Sequence, residues 1–213
     1  MIKTIIFDFD DTLYVGDVWG KKWADFLEKF AQYIVRNEST YKKIMKKYDL
    51  TNSLRTQKEV CIMSEKEGFG HRRFKKFLKH NIYEHATKDV EVISADFLKE
   101  LSKSYHLYVV SLSTQNYLKH YSKLYGIDEK CFKKMYSVNL CAKNKSKAVL
   151  LKKIMKKEKC LPEEMLMVGD SLKSDIEPAK QLSINTLQFN GDFNQIYEYF
   201  TENKILDCKK YIK

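Results

Sequence analysis

Phe7-Asp8-Phe9-Asp10-Asp11-Thr12-Leu13 follows the apolar run Ile5-Ile6, and three carboxylates stand at the end of what reads as a buried strand. Side chains on a strand alternate faces, so this spacing predicts that Asp8 and Asp10 point to one side and Phe9 into the core. Two carboxylates sharing a small space cannot both stay ionised cheaply. Either a cation joins them or one keeps a proton.

The remainder of the chain bounds what such a site could serve. Its 213 residues suit one domain of about 150 residues with an insertion. The share of apolar and aromatic residues, 44% and 13%, is that of a globular protein. A formal net charge of +11 invites a nucleic-acid reading. Arginine usage opposes it, because the only four are Arg36, Arg55, Arg72 and Arg73, and the lysines spread along the whole chain. The five cysteines include no Cys-x-x-Cys pair, and the histidines show no zinc spacing, so reduced thiols in a cytoplasm are expected. No apolar stretch approaches the roughly 18 residues of a membrane span. The N-terminus runs directly into the first strand, which argues against a signal peptide.

From Val18 to about residue 88 the pattern is helical throughout. Trp19, Trp23, Phe26, Leu27, Phe30 and Ile34 form one apolar face, and further helical stretches are expected near 39–48, 53–66 and 71–84. Gly68-Phe69-Gly70 breaks two of these helices before His71-Arg72-Arg73. That segment reads either as a plain turn with a solvated basic start or as a loop whose two arginines bind an anionic group of a substrate. A helix over 89–103 then returns the chain to the core.

Strands are expected at 4–9, 106–111, 135–139, 165–169 and 184–189. They alternate with helices, which predicts an α/β fold: a Rossmann-like, mainly parallel sheet with helices on both faces. The domain boundaries that follow are a core of 1–15 and 89–213 and an all-helical insertion of 16–88. Ligands of such sheets gather beyond the carboxyl ends of the strands. There lie Asp8 and Asp10, then Ser111 at the end of His106-Leu107-Tyr108-Val109-Val110-Ser111. Asp170 also lies there, at the end of Met165-Leu166-Met167-Val168-Gly169-Asp170, with Asp175 five residues on at a helix start. Gly169 permits a close backbone approach. Asp175 could be a helix N-cap.

Taken together, the Asp-x-Asp-x-Thr-Leu stretch, the strand tipped by Ser111, a lysine in Lys143-Asn144-Lys145-Ser146-Lys147 and the Gly169-Asp170-Ser171 run with Asp175 resemble the four motifs of the haloacid dehalogenase-like superfamily in its phosphatase form. The 16–88 insertion looks like the helical cap of its first subclass. The motif lysine matches Lys145 or Lys147, with Lys145 preferred. Ser183 stands where relatives usually have Gly.

The resemblance implies hydrolysis of a small-molecule phosphomonoester through an aspartyl-phosphate. Asp8 would be nucleophile and Asp10 acid and base. Mg²⁺ would be held by Asp8, the Asp10 carbonyl and Asp170, with Asp175 and Gly169 behind them. Ser111 and Lys145 would bind the phosphoryl group, and Arg72 and Arg73 are candidates for substrate contact. A phosphomutase-type phosphotransferase is the alternative. A basic nucleic-acid-binding protein on the same fold is disfavoured, because the acidic set would repel phosphate.

Overall fold

The computed structural model describes residues 1–16, 47, 66, 90–137 and 146–212. The chain divides into two compact units, one of Met1–Gly16, Val90–Asn139 and Asn144–Lys213, the other of Asp17–Asp89 with Leu140–Lys143. In the second unit only Lys47 and Lys66 are described, both exposed and helical. The helices expected between 18 and 84, the Gly68-Phe69-Gly70 turn, Arg72, Arg73 and Lys145 lie outside the described residues.

The first unit is built on five parallel strands: β1 (Thr4–Phe7), β4 (His106–Ser111), β5 (Lys134–Ser137), β6 (Met165–Gly169) and β7 (Asn185–Gln188). Their order across the sheet is β5-β4-β1-β6-β7, and every neighbouring pair runs parallel. The expected strands are thus present, with ends displaced by one or two residues. β1 and β6 are buried along their whole length, and their unbroken apolar sequences are what a strand covered on both faces requires.

Side-chain alternation assigns the two faces. Ile6, Tyr108, Val110, Tyr136, Met165 and Met167 form one core with Leu151 and Ile154 of α3 (Lys147–Glu158) and Ala179 of α4 (Glu177–Lys180). The alternate residues Ile5, Phe7, Leu107, Val109, Leu166 and Val168 are fully buried on the other side. The remaining helices, α1 (Ala95–Ser104), α2 (Gln115–Leu124) and α5 (Phe193–Glu202), bury apolar stripes of their own.

One sequence expectation changes. Tyr14–Val15 is strand β2, and it pairs antiparallel with β3 (Glu91–Val92), where a helix was expected to have begun already. The helix starts later because Ser94 caps it, accepting a hydrogen bond from the Phe97 N–H at 3.3 Å. Ser183 has φ of +59°, the left-handed conformation that explains why glycine suits this turn. Gly126, also at positive φ, follows the end of α2.

Phe97 of α1 ties the C-terminal segment to the core, meeting the rings of Tyr197, Phe200 and Tyr211 edge-on at centroid distances of 5.1, 5.5 and 5.7 Å. Its truncation leaves a cavity between three rings that cannot all collapse inward. Phe97→Ala is expected to lower stability by about 3–5 kcal/mol, measured by chemical denaturation.

Candidate active site

β1 is central, with β4 on one side and β6 on the other, so the chain changes direction across the sheet at β1. At such a switch point the strand ends diverge and leave a crevice. Asp8 follows β1 directly, its N–H donating to the Val168 carbonyl at 2.8 Å, which fixes it beside the end of β6. Ser111 ends β4, Gly169 ends β6, and Asp170 follows it directly.

The centre of the site is a buried ammonium. Lys147 Nζ lies 2.6 Å from Asp8 Oδ1 and 2.5 Å from Asp175 Oδ1, with 1% of its side chain exposed. Burial alone would push this lysine's pKa down. The two carboxylates outweigh burial and hold it above the ordinary value. Of the two lysines the sequence left open, Lys147 is the one seen against Asp8, while Lys145, the preferred one, lies outside the described residues. A periodic signal could have found Lys147. Lys147, Leu151 and Ile154 are the buried residues of α3, at steps of four and three, so Lys147 occupies a core-facing position of an otherwise apolar stripe.

Asp175 is fully buried and is not a helix N-cap. Ser171 caps a single π-turn, Leu172–Ile176, and Asp175 lies inside it. Its Oδ2 accepts from the Ser171 N–H at 3.0 Å while Oδ1 takes Lys147. Gly169 makes this packing possible, since a Cβ there would stand 2.6 Å from Asp175 Oδ2 and 2.7 Å from its Cγ.

Asp10 has a different environment, on hydroxyls. Its Oδ1 accepts from Tyr14 OH at 2.6 Å, and its Oδ2 from Ser113 Oγ at 2.7 Å and Ser111 Oγ at 3.3 Å. Ser111 Oγ in turn accepts from the Ser113 N–H at 2.9 Å, and Ser137 Oγ donates to the Ser113 carbonyl at 2.5 Å, which braces the loop after β4. Tyr14 OH also meets Tyr117 OH at 2.9 Å. Burial first, and then the nearby Asp10 charge, hold both phenols well above their usual pKa, so they stay protonated. Ser113, Tyr14 and Tyr117 are the residues that sequence reasoning missed. Both tyrosines sit in apolar surroundings, and nothing in their spacing separates a phenol that donates to a carboxylate from one that only packs.

Asp8, Asp170 and Asp175 each offer an oxygen, all within 4.8 Å of one another. One ammonium faces three carboxylates, and the imbalance shows in the acidity of Asp8 and Asp170. Burial, opposed by Lys147 and reinforced by Asp175 and Asp10, raises the Asp8 pKa well above the carboxylate range. Burial, Asp175 and Asp11 push Asp170 up to about 6. Asp8 Oδ1 is buried and is met by the Lys147 ammonium. An all-oxygen set with surplus negative charge fits a hard divalent cation such as Mg²⁺.

A family model described as haloacid dehalogenase-like hydrolase matches residues 5–189. The chain belongs to that family. Solved relatives share its fold at low identity. A phosphatase of the family from Thermococcus onnurineus is 16% identical, with a TM-score of 0.57 over 90% of this chain and 88% of its own. A Streptococcus pneumoniae family member is 21% identical, with a TM-score of 0.54 over 88% and 84%. A Bacillus subtilis hydrolase of the family, solved with bound magnesium, is 18% identical, with a TM-score of 0.52 over 89% and 87%. No curated protein matches the chain. As a hydrolase of this family, it places the residues matched to three of the family's motifs, Asp8 and Asp10, Ser111, and Asp170 with Asp175, at the C-terminal ends of the neighbouring strands β1, β4 and β6. Among the described residues no helix is long and apolar enough to cross a membrane.

Two outcomes follow from this packing. In Gly169→Ala the new methyl must displace Asp175, which is held from both sides, so the melting temperature should fall by the equivalent of about 1–3 kcal/mol and Mg²⁺ should raise it less than in the wild type. The second concerns pH. A carboxyl whose folded pKa is raised binds protons more readily when folded, so its ionisation opposes folding above that pKa and ceases to do so below the unfolded value. For Asp170 the window runs from about 6 down to the ordinary value of 3.8. A cation that offsets the charge should therefore stabilise the protein more at pH 7.5 than at pH 5, and thermal melts with and without Mg²⁺ at the two pH values will show it.

Proposed function

We propose that this protein is a Mg²⁺-dependent phosphohydrolase that cleaves a small-molecule phosphomonoester through an aspartyl-phosphate on Asp8. The observation that carries this reading is the pairing of two differently housed carboxyls at the tip of β1: Asp8 buried against Lys147, and Asp10 braced by hydroxyls. The first environment suits a nucleophile and the second suits a proton carrier.

An Asp8 carboxylate oxygen attacks phosphorus, and the bond to the leaving oxygen breaks as Asp10 gives that oxygen its proton. Water then attacks the same phosphorus and loses a proton to Asp10. The bond from phosphorus to Asp8 breaks, inorganic phosphate departs, and both carboxyls are restored. Lys147 holds Asp8 in place and offsets part of the charge that gathers on the phosphoryl oxygens. Ser111 has one hydroxyl proton, directed at Asp10 in this structure; turned, it would serve a phosphoryl oxygen.

Asp8, Asp170 and the Asp10 carbonyl would hold Mg²⁺, which neutralises phosphate charge when bound. Asp175 stands behind them, because both its oxygens already have partners in Lys147 and Ser171. Residues 16–88 would form the helical cap that excludes water and selects substrate, with Arg72 and Arg73 as contacts for a further anionic group.

A panel of phosphomonoesters assayed with Mg²⁺ tests the reading. The wild-type protein should release phosphate, chelation should stop it, and Asp8→Asn should lose at least about a thousand-fold in kcat while remaining folded, since Asp175 still partners Lys147. Turnover that survives in Asp8→Asn would rule out the aspartyl-phosphate.

A further inference from the structure

The hydroxyls around Asp10 differ in how firmly they are held. Ser111 and Ser113 sit at a strand end and in the loop that follows, whereas the Tyr14 ring is wedged by others. It meets Phe9 edge-on at 5.5 Å and Tyr125 at 4.7 Å, and it is 1% exposed. Tyr117 is fully buried, meets Phe9 edge-on at 6.3 Å and stacks on Tyr121 at 4.1 Å. Neither phenol can move without repacking this cluster.

The direction of the hydrogen bonds follows from proton count. Ionised Asp10 only accepts, so the single proton of Tyr14 is committed to Oδ1 at 2.6 Å, while the Tyr117 hydroxyl lies 2.9 Å from the Tyr14 oxygen and within hydrogen-bond reach of Asp10 as well. Tyr117 is placed for this by the start of α2, where Thr114 Oγ1 accepts its N–H. Tyr14 is placed by β2, paired with β3.

Resting on the assignment of Asp10 as acid and base, we propose that Tyr14 is a positioning residue for proton transfer, aiming the Asp10 carboxyl at the leaving oxygen, and that Tyr117 fixes Tyr14 through the buried hydroxyl pair. Neither tyrosine touches substrate. With Oδ1 tethered to Tyr14, rotation about the Asp10 side chain is blocked, and Oδ2 stays on the side of Ser111 and Ser113, at the end of β4. A small misplacement of an acid is felt most where the leaving group most needs its proton.

Leaving-group dependence separates this role from a merely structural one. Dinitrophenyl phosphate departs without protonation, whereas phenyl phosphate must release a phenol of pKa about 10. With Mg²⁺ and the full chain, kcat/KM of Tyr14→Phe should stay within about two-fold of wild type on the first ester and fall about ten-fold or more on the second. Tyr117→Phe should show the same selectivity to a smaller degree, and it decides the matter if Tyr14→Phe melts too low to assay. Equal losses on both esters, or none on either, overturn the inference.

Asp10→Asn measured alongside keeps the two readings apart. If Asp10→Asn is selective against phenyl phosphate and the tyrosine variants are not, only the role of Tyr14 falls. If Asp10→Asn is not selective, or the wild-type protein is silent on both esters, the assignment of Asp10 falls and the inference with it.

Discussion

A single ammonium group, buried to 1% exposure between two carboxylates, organises this site. Lys147 cannot lie in the interior unless Asp8 and Asp175 accompany it, because an unpaired charge there would cost several kcal/mol. Each partner imposes a condition on the chain. Asp8 must follow β1 directly. Asp175 must be turned inward, which the π-turn after Ser171 achieves, and it must pass over a residue without a side chain, which Gly169 supplies. The C-terminal ends of two central strands and the first residue of α3 are thereby fixed to one another.

The same arrangement leaves the site electrically incomplete, for Lys147 offsets one of three clustered carboxylates. Stability and chemistry pull in opposite directions here. Protonating Asp170 would relieve the apo protein, but it would remove the negative charge that draws a cation. Asp10, two residues from Asp8, is set apart by its partners: hydroxyl groups that hydrogen-bond a carboxyl without contributing a charge of their own. Two aspartates close in sequence thus have environments as different as an ion pair and a ring of alcohols.

Much of this was legible in the sequence, and the gaps have physical reasons. The five strands were readable because parallel strands buried on both faces must be continuously apolar, and the switch point then placed Asp8, Ser111 and Asp170 together. Between Lys145 and Lys147 the choice turned on helix register. A lysine in a core-facing position violates the usual sorting of charge to the surface, so the pattern that identifies Lys147 is the one that ordinarily disqualifies a lysine. Asp175 was readable as an acidic residue near a helix start but not as a buried one, since a π-turn has no sequence signature of comparable strength. Tyr14 and Tyr117 escaped because burial and hydrogen bonding of a phenol leave the same mark on a sequence as packing alone.

The short ribbon of β2 and β3 has an effect out of proportion to its four residues. Tyr14 faces Val92 and Val15 faces Glu91, so the chain departs for some seventy residues and returns to the same point. To the sheet, that excursion is a closed loop whose two ends are already tied. The entropy of closing such a loop grows only with the logarithm of its length, so doubling it would add about 0.6 kcal/mol. The core is thus nearly indifferent to how much chain is inserted there, and lineages could exchange or enlarge the inserted segment while the strand-end carboxylates stay where they are.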